Sequence, residues 1–249
     1  MSLPFDAAAE EQDLRDYLGA EFELERLQRY QEQLDAEFEQ VGDEQRFYRT
    51  SRGYLYNLTA FAMTGTKLPY LQELVRQLPA GARLLDYGCG IGSDGLLLLR
   101  AGFGVEFADF ENPSTEYLRW RLARHGLSAA VHDLDREVPG GFDATYAFDV
   151  IEHVEGPFAF LDQMEQRARL VEVNFLEPIA GDQDLHHELP VGALLEHCAQ
   201  HRLRGYRFLY GRSHLVLYEA GTTGSPLLNR ARIAAERLAL RVGRRATPR

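Results

Sequence analysis

The chain has 249 residues, of which 45% are hydrophobic and 26% charged, and this composition is typical of a globular protein rather than a disordered or collagen-like one. No apolar run approaches the ~18 residues that a membrane span needs, and acidic residues stand where a signal peptide would have a basic start, so we expect a cytoplasmic protein. The net charge of −11 disfavours a nucleic-acid partner, and two cysteines, Cys89 and Cys198, are too few for a disulfide framework or a zinc motif.

The first part of the chain is predicted to be helical. Apolar residues between Leu14 and Val41 recur at steps of three to five, which is typical of one amphipathic helix. Residues 54–63 and 68–78 have the same character, and Pro79 and Gly81 end the pattern. We therefore predict a helical cap over residues 1–80. An exposed apolar stripe on its first helix could pair two subunits, so a homo-oligomer is possible.

After Ala82 short apolar runs alternate with helical stretches, a pattern that favours a parallel sheet with crossover helices. A hairpin is predicted within residues 206–219, around Gly211. Residues 81–220 would form the main domain, and the arginine-rich residues 221–249 a basic helical tail that either packs on the acidic end or stays solvated. The predicted strands are 83–88, 104–110, 128–133, 142–150 and 169–175, and the predicted helices 93–101, 114–125 and 157–167.

A glycine-rich turn follows the first predicted strand. Gly88, Gly90 and Gly92 alternate with other residues, and a helix with Ser93 as its N-cap is expected to follow. Glycines at these positions let a ligand lie against the backbone amides. The dinucleotide fingerprint would place its third glycine at position 93 rather than 92, so the pattern favours a nucleoside without a pyrophosphate.

Acidic residues end the next two predicted strands. Asp109 stands 21 residues beyond Gly88, where an acid can bind ribose hydroxyls. Asp133 and a free backbone amide at Leu134 could bind an adenine edge, and Phe110 could lie against the purine face. Acids at strand ends are common, so it is their order after successive strands that points to a nucleoside site.

These motifs resemble those of class I S-adenosylmethionine-dependent methyltransferases. The resemblance covers Asp86 to Gly92, Asp109, Asp133 and the segment FDATYAFDVIEHV at 142–154, which is similar to the small-molecule branch containing ubiquinone-type O-methyltransferases. It implies a Rossmann-like α/β fold with a seven-stranded sheet of order 3-2-1-4-5-7-6, strand seven being antiparallel. It also implies S-adenosylmethionine as cofactor. The implied cofactor contacts are Asp86 at the methionine amino group, backbone at Gly88, Gly90 and Gly92, Asp109 at the ribose, Phe110, Asp133 and Leu134 at the adenine, and Asp149.

His153 is the candidate general base, because an unperturbed imidazole titrates near cellular pH; its alternative role is a helix-start residue bonded to backbone. Some relatives bind a divalent ion through an acid-x-x-Glu-His segment and a later histidine. The residues that match are Asp149, Glu152, His153 and His186 or His187, but the first acid and the later spacing depart from that pattern. We therefore leave a metal open and do not favour it.

The segment RFYRTSRGYLYN at 46–57 is dense in arginine and tyrosine. Arg52 is the candidate for binding the methionine carboxylate. Tyr48, Tyr54 and Tyr56 either line an acceptor pocket or pack the cap on the domain. The rest of that pocket is expected from a loop at 181–195.

The sequence thus predicts an enzyme that methylates an oxygen or nitrogen of a small metabolite. An RNA methyltransferase with a divalent metal, and a non-catalytic nucleoside-binding partner protein, remain alternatives. A nicotinamide enzyme or a P-loop protein is disfavoured, because the chain's one lysine, Lys67, belongs to neither a Tyr-x-x-x-Lys pair nor a Walker A loop.

Overall fold

The computed structural model describes residues 3–178 and 187–245. Its contacts divide the chain into two compact units. The first unit comprises Met1–Val75 and Pro79–Pro139, and the second comprises Arg76–Leu78 and Gly140–Arg249. Within the described residues, no helix is both long and apolar enough to cross a membrane.

Seven strands form one mixed sheet, which confirms the predicted Rossmann-like architecture. Their order is β3-β2-β1-β4-β5-β7-β6, and β7 is antiparallel to both β5 and β6. Most bounds lie within a few residues of the predicted ones. The strands are β1 Arg83–Tyr87, β2 Gly104–Asp109, β3 Val131–Asp133, β4 Phe142–Ala147, β5 Ala168–Leu176, β6 Arg202–Leu209 and β7 Ser213–Glu219.

Helices precede the sheet and connect its strands. The cap helices are α1 Ala7–Leu18, α2 Leu24–Gln28, α3 Tyr30–Val41, α4 Glu44–Thr50, α5 Tyr54–Met63 and α6 Leu68–Arg76. The later helices are α7 Ser93–Arg100, α8 Pro113–Arg124, α9 Pro157–Arg167, α10 Val191–Gln200 and α11 Pro226–Arg245.

The single helix predicted between Leu14 and Val41 is wrong. Gly19 takes φ +55°, which ends α1, and a 3-10 turn at Gly19–Glu21 and an extended Phe22 separate it from α2. The apolar stripe is nevertheless present, because Leu14 and Leu27 are buried within one core cluster. The apolar stripe is therefore buried inside the protein. It is not an exposed surface through which subunits could pair, which was the basis for expecting a homo-oligomer.

The register of each unit places polar residues at the carboxyl ends of its parallel strands. In the first unit Asp86 pairs with Phe107, and Asp109 pairs with Asp133. In the second unit Ala147 of β4 pairs with Val173 of β5, so Asn174 follows directly beside the end of β4.

Two regions of the second unit differ from the predictions. The loop expected at 181–195 becomes α10 from Val191 onward, while residues 179–186 lie outside the described residues. The basic tail forms α11, which packs on α10 and β6: Arg230 pairs with Glu196, and Asn229 Nδ2 donates to the Ala199 carbonyl at 2.8 Å.

Candidate active site

The glycine turn of the first unit requires left-handed backbone. Gly88, Gly90 and Gly92 have φ of +78°, +52° and +72°, a region that residues with a Cβ rarely adopt. Gly92, not Ser93, is the N-cap of α7, so the Ser93 prediction is wrong. A Cβ on Gly92 would lie 2.3 Å from Leu118 Cδ1, so this position also needs glycine for packing.

Asp109 binds the glycine turn from the end of β2. Its Oδ2 accepts a hydrogen bond from the Gly90 amide at 2.7 Å, and its Oδ1 accepts one from the Phe110 amide at 2.7 Å. Burial raises the pKa of this carboxyl to about 6, although the two amide donors oppose that rise. The predicted ribose acid therefore also fixes the shape of the turn.

At the end of β3 the two predicted adenine contacts behave differently. Asp133 accepts a hydrogen bond from the Asp135 amide at 3.0 Å and pairs with Arg136 at 3.4 Å. The amide of Leu134 donates to the Asp109 carbonyl at 3.0 Å. The expectation of a free amide at Leu134 is therefore wrong, because the parallel ladder continues one residue past the strand.

Arg49 of the cap lies beside Phe110, one of the residues predicted to contact the adenine. Its guanidinium carbon lies 4.3 Å from the centroid of the Phe110 ring, and its two terminal nitrogens donate to Asp135 at 2.6 and 2.9 Å. Arg52 instead pairs with Glu21 at 3.3 Å. It borders a cleft of about 480 Å³ that is lined by cap residues alone: Arg26, Ala36, Glu37, Gln40, Arg52 and Gly53.

The sequence analysis named Arg52, and no local pattern distinguishes it from Arg49, three residues away in the same aromatic stretch. The tyrosines of that stretch pack the cap. The Tyr48 and Tyr54 rings lie 5.4 and 5.8 Å from Phe47, and the Tyr56 hydroxyl donates to the Glu21 carbonyl at 3.3 Å.

A buried ionic network joins α1 to the glycine turn and α8. Arg121 is 1% exposed and donates to Glu10 at 2.8 Å, to Asp13 at 3.1 Å and to the Ile91 carbonyl at 3.1 Å. The Ser93 hydroxyl donates to Glu10 at 2.7 Å. The start of α7 is therefore bonded to the cap.

Asp86, the predicted amino-group ligand, is buried near the end of β1. A Cβ on Gly95 of α7 would lie 2.2 Å from Phe107 and 3.0 Å from Asp86 Oδ2. Gly95 thus lets α7 pack directly on β1 and β2 beside this carboxyl, a packing role that the sequence alone did not reveal.

In the second unit, the backbone at Asp149 is strained. Asp149 and Tyr210 are the non-glycine residues of the described chain with positive φ, each at +55°. Asn174, fully buried, accepts a hydrogen bond from the Asp149 amide at 2.8 Å and donates to its Oδ1 at 2.7 Å. This reciprocal pair holds the Asp149 carboxyl in place. The signal for it in the sequence is Asn174 itself, a polar residue near the end of the strand RLVEVNF.

Tyr210, also missed from sequence, stands in the turn between β6 and β7. Its side chain is about half exposed. Partial removal from water, and then the negative charge of Asp149, raise the pKa of the Tyr210 phenol. The hairpin therefore brings a phenol within electrostatic reach of Asp149.

His153 ends the 3-10 turn Ile151–His153, and its amide donates to the Val150 carbonyl at 2.9 Å. The His187 amide donates to the Glu152 carbonyl at 2.7 Å, which brings the second histidine segment to this turn. His186 lies outside the described residues. Among the described residues, the ligand atoms that converge within 4.8 Å are those of Glu165, His197 and His201, which are not the residues that match the acid-x-x-Glu-His pattern.

Comparisons with known proteins agree with this fold and these motifs. A family model described as a methyltransferase domain matches residues 61–202, more than half of the chain. The ubiquinone biosynthesis O-methyltransferase of Xanthomonas axonopodis pv. citri is 32% identical over 105 residues, covering 40% of this chain; the match spans only 43% of that enzyme's length.

Two solved structures share the fold. Magnesium protoporphyrin IX methyltransferase from Synechocystis PCC 6803, with bound SAM, has a TM-score of 0.52 at 16% identity and covers 89% of this chain and 100% of that one. TehB from Haemophilus influenzae has a TM-score of 0.50 at 12% identity over 61% of each chain. The sheet order and the glycine turn define a Rossmann-like methyltransferase. The chain belongs to the methyltransferase domain family of class I S-adenosylmethionine-dependent enzymes, whose cofactor is S-adenosylmethionine.

Proposed function

We propose that this enzyme transfers the methyl group of S-adenosylmethionine to an oxygen or nitrogen of a small molecule. The observation that carries the proposal is the bond between Asp109 and the glycine turn, because it orders a side-chain-free surface next to a carboxylate. When bound, the cofactor supplies a methyl group already activated by a sulfonium, so the protein has to align the acceptor and exclude water.

The residues of the first unit fit such a donor. A Cβ on Gly90 would lie 3.2 Å from Leu58 Cδ1, so a side chain at this position of the turn would crowd α5 of the cap. In the proposal, Asp109 receives the ribose hydroxyls, while Asp133 and Phe110 hold the adenine. The backbone of Gly88 and Gly90 faces the rest of the cofactor, and Asp86 its amino group.

The second unit supplies the candidates for acceptor chemistry. His153 would remove the proton of an acceptor hydroxyl or amine, and such a positioned base contributes typically about 10²–10⁴-fold to a rate. Asn174 holds Asp149 in place, and Tyr210 would border the acceptor. The similarity to an enzyme named for ubiquinone biosynthesis supports oxygen as the methylated atom and a small molecule as the acceptor.

The proposal is tested by binding and by product. Calorimetric titration should show S-adenosylhomocysteine binding and no binding of NADH. Incubation with methyl-labelled S-adenosylmethionine and separate pools of phenols, amines and RNA should label a small molecule carrying one added methyl. Label confined to RNA would overturn the acceptor class, and binding without label in any pool would favour the non-catalytic alternative.

A further inference from the structure

A cluster of side chains of the kinds that ligate metals lies away from the residues assigned to catalysis. Glu165 is in the last turn of α9, His197 is on α10, and His201 follows that helix directly. One ligand atom from each lies within 4.8 Å of the others. Glu165 Oε1 is 2.8 Å from His197 Nε2 and 3.5 Å from His201 Nε2.

The chain builds this cluster through helical spacing. His197 and His201 are four residues apart, so they share one face at the end of α10. The Tyr218 hydroxyl of β7 donates to Glu165 Oε1 at 2.8 Å, and the Tyr218 ring lies 5.0 Å from that of His201. Side-chain exposure is 25% for His197 and 16% for both His201 and Glu165, so the cluster is screened from solvent and still reachable.

Hydrogen bonding within the described chain leaves His201 unsatisfied. Its Nδ1 is buried and has no hydrogen-bond partner among the described residues. Its Nε2 lies 3.5 Å from Glu165, which is longer than the ~2.7–3.2 Å of an ordinary N–H···O hydrogen bond. A metal ion bound at Nε2 would give that nitrogen a partner, and the ring would then carry its proton on Nδ1.

We propose that Glu165, His197 and His201 form a zinc-binding site with a fourth position open to water. Two imidazoles and one carboxylate are a donor set that Zn²⁺ uses in sites with three protein ligands. Zinc–ligand distances of about 2.0–2.2 Å place tetrahedral ligand atoms about 3.3–3.5 Å apart. The 3.5 Å between Glu165 and His201 already fits, and the 2.8 Å to His197 must lengthen by roughly half an ångström as the hydrogen bond is replaced.

The site is distinct from the candidate active site of the same unit. Tyr218 pairs with Val171 on β5, whereas Asn174, which holds Asp149, stands three residues further along that strand. Three residues of strand span about 10 Å. A metal here would join α9 to α10 and reach β7 through the hydrogen bond between Glu165 and Tyr218, three residues of β5 away from Asn174.

Cobalt provides the direct test, since Co²⁺ accepts zinc ligands and absorbs visible light strongly when four-coordinate. Chelator-treated enzyme titrated with Co²⁺ should develop intense visible bands that equimolar Zn²⁺ abolishes, and Zn²⁺ should raise the melting temperature. Absence of those bands, or only the weak bands of a six-coordinate ion, would overturn the proposal.

Variants locate the ligands. His197→Gln and His201→Gln should each weaken Zn²⁺ binding by more than the ~10–100-fold that loss of an outer-shell partner costs, and Tyr218→Phe by about that amount. His125→Gln is the matched control, because the His125 imidazole also pairs with a carboxylate, that of Asp13 at 2.8 Å, but lies outside the cluster. The zinc affinity of this variant should equal that of the unaltered enzyme.

S-Adenosylhomocysteine affinity should stay within about threefold in His201→Gln, which separates failure of this proposal from failure of the proposed function. Equal zinc affinity in His201→Gln and the unaltered enzyme would show that the ion binds elsewhere. Should a glutamine variant not fold, the Co²⁺ spectra of the unaltered enzyme and of Tyr218→Phe decide the matter.

Discussion

Replacing Asp109 by asparagine should separate cofactor binding from folding. Burial raises the pKa of this carboxyl from 3.8 to about 6, a rise of roughly 2 units that corresponds to about 3 kcal/mol against the ionised form in the folded state. The folded chain binds this proton more tightly than the unfolded chain does. The stability that the group contributes is therefore greatest below about pH 3.8 and is lost as the pH rises through about 6.

Asp109→Asn removes that cost near neutral pH, but its amide NH₂ must face one of the two backbone donors, from Gly90 or Phe110. An unsatisfied buried donor costs about 1–3 kcal/mol, so the two effects nearly cancel. We expect the free energy of unfolding in urea to change by less than about 2 kcal/mol. Affinity for S-adenosylhomocysteine should fall about 10- to 100-fold, because a hydrogen bond to a charged group is worth about 1.5–3 kcal/mol.

The pH dependence provides a second measurement. Ribose hydroxyls donate to the ionised carboxylate, so calorimetry should show the affinity of the unaltered enzyme weakening as the pH falls through about 6, and a smaller change in Asp109→Asn. Glu111→Gln is the matched control: it removes an acid two residues away that pairs with Arg119 at the surface, and it should leave affinity unchanged. Unaltered affinity in Asp109→Asn, or a loss of stability well above 3 kcal/mol, would refute this account.

Three further substitutions test the rest of the site. Arg121→Met removes the buried cation that Glu10 and Asp13 share, although Asp13 keeps His125 at 2.8 Å, and should lower the free energy of unfolding by about 3–5 kcal/mol in urea titrations, whereas the surface control Arg119→Met should cost at most about 1 kcal/mol. Gly92→Ala combines a left-handed backbone with a clash and should cost about 2–5 kcal/mol, against about 1–2 kcal/mol for Gly126→Ala, which has φ +64° and open space; equal costs would contradict the clash. Once an acceptor has been found, His153→Gln should lower kcat about 10²–10⁴-fold in initial-rate assays while S-adenosylhomocysteine affinity stays within about threefold, and an unchanged kcat would exclude His153 as the base.

The strands and the glycine turn could be predicted from the sequence because their signals are local. An apolar run that ends in Asp86 and alternating glycines leaves few alternatives, and the structure places β1 and that turn where expected. The break at Gly19 was missed because the apolar spacing continues on both sides of it. A periodic pattern shows which side of a segment is buried, but not whether the segment is one helix or three.

Contacts between residues distant in sequence could not be predicted in this way. The Leu134 amide is engaged only because β2 and β3 run in parallel, and Arg49 stacks on Phe110 while its guanidinium pairs with Asp135. Asn174 supports Asp149 from 25 residues away. Each of these groups acts through a partner on another element, so no local pattern in the sequence marks the pairing.

The ionic network at Arg121 has a practical consequence for dissecting this protein. A fragment trimmed to begin at β1 would lack Glu10 and Asp13, so the buried Arg121 guanidinium would lose both carboxylates that it pairs with. The same cut would remove Glu10, which accepts the hydrogen bond of the Ser93 hydroxyl at the first residue of α7. Helix α1 is thus an integral part of the first unit, and any minimal expression fragment has to retain it.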